Sequence, residues 1–129
     1  MIIADTSVWI PFFNRPASAE KRELDRLIDA DEVAMVGIVF AELLQGCRSP
    51  RDREEIKDAL SSLPHFETTR AVWIRVDDLS ASLLRRGITL PLSDLVVAVV
   101  ALENRCRVYS LDQHFKKIPD LGLHVAPTT

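Results

Sequence analysis

The sequence predicts an α/β fold, a three-layer α/β/α sandwich around a mainly parallel sheet. Three observations carry that expectation. Short strand-like runs at Met1–Ala4, Val33–Val36 and Arg107–Leu111 alternate with stretches of helical periodicity. Each run passes straight into an acid or a glycine (Asp5, Gly37, Asp112), the strand-to-helix junction that a βα unit requires. No repeat, low-complexity stretch or Gly/Ser-rich linker divides the 129 residues, so one domain spanning 1–129 is expected.

The elements follow in order. Met1–Ala4 is a buried strand, and Asp5-Thr6-Ser7 opens a helix over Val8–Phe13. From Ser18 the spacing of Leu24, Leu27 and Ile28 is helical, ending near Asp31. Val33–Val36 is a second strand. Gly37 opens a third helix through Phe40, Leu43 and Leu44 to Gly46, and Ser49-Pro50 caps a fourth carrying Ile56, Ala59, Leu60 and Leu63. These two are expected to form a helical hairpin. Arg70–Arg86 places Val72, Val76, Leu79 and Leu83 on one face, with Gly87 as its C-cap. A short extended piece is expected at Ile88–Leu90. Ser93 starts a helix that is apolar almost all round to Leu102, Arg107–Leu111 is a strand ending at Asp112, and Leu123–Val125 is a last strand.

Apolar residues make up 47% of the chain and charged residues 27%, the balance of an ordinary globular domain. A chain of this length buries roughly two-thirds of its unfolded surface, enough for a core without disulfides. The longest apolar run, Leu95–Leu102, falls far short of the roughly 20 residues of a membrane-spanning helix. Asp5 breaks the first apolar stretch too early for a secretion signal, which points to the cytoplasm. Cys47 and Cys106, without neighbouring Cys or His at ligand spacing, read as small buried hydrophobes in a reducing compartment. The net charge of −3 argues weakly against a nucleic-acid partner, unless acids gather at one place.

Four acids suggest that they do. Most of the 19 acidic residues lie in charge-rich stretches that read as solvated helix faces. Asp5, Glu42, Asp94 and Asp112 instead interrupt apolar pattern or end a strand. Asp5 and Asp112 belong at the carboxyl ends of parallel strands, where α/β sheets bind ligands. Asp94 in a first helical turn is a candidate ligand or only a capping carboxylate. Glu42, flanked by apolar residues, needs a cation, a proton or a buried arginine. Four converging carboxylates repel one another unless a divalent cation lies between them. An oxygen-only set without matching His or Cys favours Mg²⁺ or Mn²⁺ over zinc.

Asp5-Thr6-Ser7, Glu42, Asp94 before an aliphatic helix, and Ser110-Leu111-Asp112-Gln113-His114-Phe115 together resemble the four-acid layout of the PIN domain. The similarity covers essentially the whole chain, and its length resembles the VapC-type toxins of prokaryotic toxin–antitoxin pairs. The resemblance implies a metal-dependent endoribonuclease, usually dimeric, held inactive by a cognate VapB-type antitoxin whose carboxy-terminal segment wraps the toxin. It makes Asp5, Glu42, Asp94 and Asp112 the catalytic, metal-binding acids and Ser7 and Ser110 their hydroxyl supports, with Mg²⁺ or Mn²⁺ as cofactor and RNA as substrate. Ser110 stands where relatives often have Thr, which keeps the hydroxyl; Val97-Ala98-Val99 replaces a common Ile-Ala-Ala, a change in helix packing only.

With the four acids set aside the remaining charge is close to neutral, so RNA is not excluded. Arg15, Arg48, Arg85, Arg86, His114, Lys116 and Lys117 fall near the motif loops or helix ends and are candidate phosphate contacts, each weighed against an ordinary solvated side chain. Trp9, Phe12, Phe13 and Trp73 are expected in the core; exposed together, they would mark a contact with antitoxin or a second protomer. Rival folds fit poorly. A receiver domain resembles this layout but wants an acidic pair after the first strand, where Thr6 follows Asp5, and a lysine where Asp112 stands. A haloacid-dehalogenase-like phosphatase wants Asp-x-Asp, and position 7 is Ser. The stronger rival is a catalytically silent PIN module that binds RNA or protein, whose mark would be loss of site acids.

Overall fold

In the computed structural model, which describes residues 1–127, the chain runs β1 (Ile2–Ala4), α1 (Thr6–Asn14), α2 (Ala19–Asp29), β2 (Val33–Val36), α3 (Gly37–Gln45) and α4 (Pro50–Leu60). It continues through β3 (His65–Phe66), α5 (Arg70–Arg85), α6 (Leu92–Glu103), β4 (Arg107–Tyr109) and a 3₁₀ turn at Gln113–Lys117. The strands form a parallel sheet in the order β3-β2-β1-β4. The six α-helices of the described residues complete the three-layer α/β/α sandwich. Every residue of β1 and β2 is buried, as expected of a parallel sheet with helices over its faces.

Local chemistry explains the helix starts. Ser18 Oγ accepts from Lys21 N, Ser49 Oγ from Asp52 N with Pro50 in the first turn, and Thr69 Oγ1 from Val72 N. Each cap satisfies a backbone donor that the helix itself cannot. α5 ends where Gly87 takes a φ of 74° while Ile88 N returns to Leu83 O at 2.9 Å, a closure that favours glycine. α6 is buried continuously from Leu95 to Ala101 and packs on α5, α3, β1 and β4. An apolar surface all round suits only such a central helix.

Some expectations need correction. The fourth helix stops at Leu60, with Leu63 packed on the core beyond it. β3 was not anticipated, since two residues carry no periodicity; Met35 N donates to Pro64 O and recruits it to the sheet edge. Ile88–Leu90 forms no strand. The expected strand at Leu123–Val125 is a single parallel bridge between Leu123 and Val108. Trp9 is fully buried and Phe12 and Phe13 pack against the core, but Trp73 is 47% exposed on α5. Cys106 is buried, and burial pushes its thiol pKa up; Cys47 is only half-buried, facing a cleft. Thr128 and Thr129, the last residues of the expected domain, lie outside the described residues.

Candidate functional site

The strand order turns back on itself between β1 and β4: β2 and β3 follow on one side of β1, while β4 lies on the other. Such a switch point opens a crevice at the carboxyl ends of the two strands. The register pairs Ala4 with Tyr109, and Asp5 N donates to Tyr109 O at 3.0 Å, so the residues just past each strand end face one another.

Asp5 caps α1 and is only 7% exposed. Its Oδ1 accepts from Ser7 N at 3.1 Å and Ser7 Oγ at 2.5 Å, and its Oδ2 from Ser110 Oγ at 2.5 Å. The two serine oxygens in turn accept from Leu111 N and Asp112 N, both at 2.9 Å. Each hydroxyl oxygen has one lone pair so engaged, and because a carboxylate only accepts, the hydroxyl protons are directed to it. Burial pushes the Asp5 pKa up; the Ser110 and Ser7 hydroxyls oppose the rise, and the charge of Asp94 adds to it.

Asp94 sits in the first turn of α6, where the helix dipole favours negative charge. It is no cap: its Oδ2 lies 2.7 Å from His114 Nδ1, and the N-cap position of α6 is Pro91, which makes no side-chain cap. Asp112 starts the 3₁₀ turn, accepting from His114 N at 3.1 Å, and its Oδ1 is 3.0 Å from the same His114 Nδ1. Asp94, Asp112 and His114 each offer a ligand atom, all within 4.8 Å of one another. His114 is thus bonded to both acids, and a nitrogen stands beside the carboxylate oxygens where the sequence suggested oxygen donors alone. Its signal was the spacing: two positions past an acid at a strand end.

Glu42 is half-buried on α3 and accepts from Thr6 Oγ1 at 2.9 Å. No arginine pairs with it among the described residues, which removes the structural alternative. Thr6 was missed because a threonine in a first helical turn reads as part of the cap. Asp5, Glu42, Asp94 and Asp112 all line one cavity of about 240 Å³. A second cleft of about 600 Å³ shares Thr6 and Glu42 with it and is lined by Arg48, Asn14 and Cys47 on its outer side. Arg15 closes α1, Arg85 and Arg86 end α5, and Lys116 and Lys117 lie on the exposed side of the 3₁₀ turn. Of the expected basic contacts, Arg48 is the one that lines a cleft beside the acids among the described residues.

Hard oxygen donors, a neighbouring imidazole and a carboxyl whose burial disfavours its charged form fit a divalent cation at this cavity. A parallel sandwich with acids gathered at its switch point defines the class: the chain belongs to the PIN domain family, whose model matches residues 2–121. Among curated relatives, ribonuclease VapC11 of Mycobacterium tuberculosis is 25% identical over 122 residues, covering 92% of this chain and 91% of that protein. Two solved structures share the fold. VapBC2 from Rickettsia felis, bound to a DNA fragment from its promoter, has a TM-score of 0.82 at 22% identity, covering 96% of this chain and 98% of that one. DNA-bound VapBC from Salmonella typhimurium has a TM-score of 0.83 at 18% identity, with 95% and 96% covered.

Proposed function

We propose that this chain is a metal-dependent endoribonuclease, the toxin of a toxin–antitoxin pair, acting in the cytoplasm. The observation that carries the proposal is the single cavity at the β1–β4 switch point lined by Asp5, Glu42, Asp94 and Asp112. The likeness to a relative named a ribonuclease, and to solved toxin–antitoxin complexes, supports it. The partners are then an RNA, a cognate VapB-type antitoxin and a second copy of the chain. No helix among the described residues is long and apolar enough to cross a membrane.

The four acids hold Mg²⁺ or Mn²⁺. When bound, such an ion lowers the pKa of a coordinated water and stabilises charge on the phosphodiester oxygens. Asp5 supplies a carboxylate whose two oxygens are fixed in direction by Ser7 and Ser110. Thr6 does the same for Glu42. Fixing ligands in this way preserves geometry that free side chains would lose to rotamer entropy. Asp94 presents its carboxylate from the first turn of α6, where the helix dipole faces it. Arg48, with Arg15, Arg85, Arg86, Lys116 and Lys117 further out, offsets the acids for an incoming phosphate backbone. By the family's pattern the products carry a 5′-phosphate and a 3′-hydroxyl.

Cleavage of total cellular RNA by the purified chain, with Mn²⁺ or Mg²⁺ and then with EDTA, tests this beside Asp94→Asn. Discrete fragments in metal alone, from the wild type alone, are expected. Intact RNA from a chain that demonstrably binds metal would overturn the nuclease and leave a silent binding module.

A further inference from the structure

We infer that His114 is a nitrogen ligand of the cation held at this site, and that it biases the site towards Mn²⁺ over Mg²⁺. The inference rests on the metal-site proposal above and adds a donor to it.

The geometry is that of one coordination face. An octahedral ion with ligands at about 2.1 Å sets neighbouring donor atoms about 3.0 Å apart. His114 Nδ1 lies 2.7 Å from Asp94 Oδ2 and 3.0 Å from Asp112 Oδ1, so the ring nitrogen already stands at ligand spacing from both acids. The backbone holds it there: His114 N is bonded to Asp112, and Phe115, the next residue, is buried in the core and anchors the turn. The ring is therefore carried to the carboxylates by a fixed turn rather than by a free surface side chain.

A hydrogen bond between the imidazole and the two acids satisfies Asp94 and Asp112 alone. It leaves Asp5 and Glu42 on the same cavity wall with only hydroxyl and amide partners for their charge. A divalent ion bonded to His114 Nδ1, Asp94 and Asp112 also brings positive charge to the cavity that Asp5 and Glu42 line, with the ring proton then on Nε2. The ligand type sets the preference. Imidazole is a borderline-soft donor that favours first-row transition ions, whereas Mg²⁺ favours oxygen and gains little from nitrogen. Neither remaining histidine competes for the role: His65 Nδ1 faces Leu63 O at the far sheet edge, and His124 is buried against Glu23.

Pulsed EPR of Mn²⁺ bound to the full chain tests the inference without RNA, beside Mn²⁺ and Mg²⁺ titrations by calorimetry. The wild type is expected to show ¹⁴N modulation on the manganese signal. His114→Gln, which keeps a polar side chain of similar reach, is expected to abolish it and to lower the Mn²⁺ to Mg²⁺ affinity ratio by about 10-fold or more. The wild-type spectrum decides on its own should the variant misfold. Bound Mn²⁺ without nitrogen coupling, or a ratio unchanged by His114→Gln, overturns the inference while the metal site stands. Absence of Mn²⁺ binding by the wild type overturns the metal site as well.

Discussion

Ser110 donates its hydroxyl to Asp5 Oδ2 across the β1–β4 pair, joining residues 105 positions apart in sequence. The bond depends on parallel register, because Ala4 opposite Tyr109 brings the two strand ends level. Ser110→Ala is expected to lower metal affinity or RNA cleavage by about 10- to 100-fold, the usual effect of freeing a ligand from its orienting partner. Ser110→Thr keeps the hydroxyl and is expected to retain most of the activity. Calorimetric Mn²⁺ titration of both variants checks the pair.

Asp5→Asn should separate activity from stability. A carboxyl whose folded pKa is raised binds its proton more tightly in the native than in the unfolded state, so its ionisation weakens folding as pH rises. The amide cannot ionise, still caps α1 and has no charge to desolvate. At neutral pH without metal the variant is expected to be more stable by about 1 kcal/mol, on the scale of other relieved functional sites. It is also expected to be inactive. Thermal melts in EDTA and an RNA cleavage assay check the two halves; a lower melting temperature contradicts the first.

Glu23 links α2 to the chain beyond β4. Its Oε1 accepts from Arg26 Nε at 2.6 Å, and its Oε2 lies 2.9 Å from His124 Nε2. The Arg26 hydrogen bond holds the Glu23 pKa below its ordinary value against the opposing effect of burial, with His124 adding to the fall. A depressed acid contributes stability above its unfolded pKa of about 4.3 and loses it as pH falls through the folded one. Unfolding free energy is therefore expected to decline below about pH 5, with a shallower decline in Glu23→Gln. Urea titrations between neutral and acid pH measure it.

Trp9 fills the space between α1 and the core, edge-on to Phe12 with ring centroids 5.0 Å apart and stacked on Phe13. Trp9→Ala is expected to cost about 3–5 kcal/mol, the range for a buried aromatic truncated to a methyl group. The same change at exposed Trp73 is expected to cost under about 0.5 kcal/mol, the range of surface substitutions. Equal losses at the two positions would show that the Trp73 side of α5 is covered in solution.

The sequence by itself determined the alternation of strands and helices, most helix starts and which four acids stand out from the apolar pattern, the four that line one cavity. Those features are local: Ser18 and Ser49 announce caps within four residues, and a carboxylate inside an apolar run is conspicuous wherever it falls. Only the tertiary structure decided which residues meet. β3 exists because β2 offers an unpaired edge, and Trp73 is exposed because α5 turns that side away from α6 and the core. His114 reads as one more basic side chain until the turn after β4 folds its ring onto Asp94, 20 positions away. Hydrophobic periodicity carries burial from residue to neighbour, whereas strand register and helix packing set distances between segments that share no local signal.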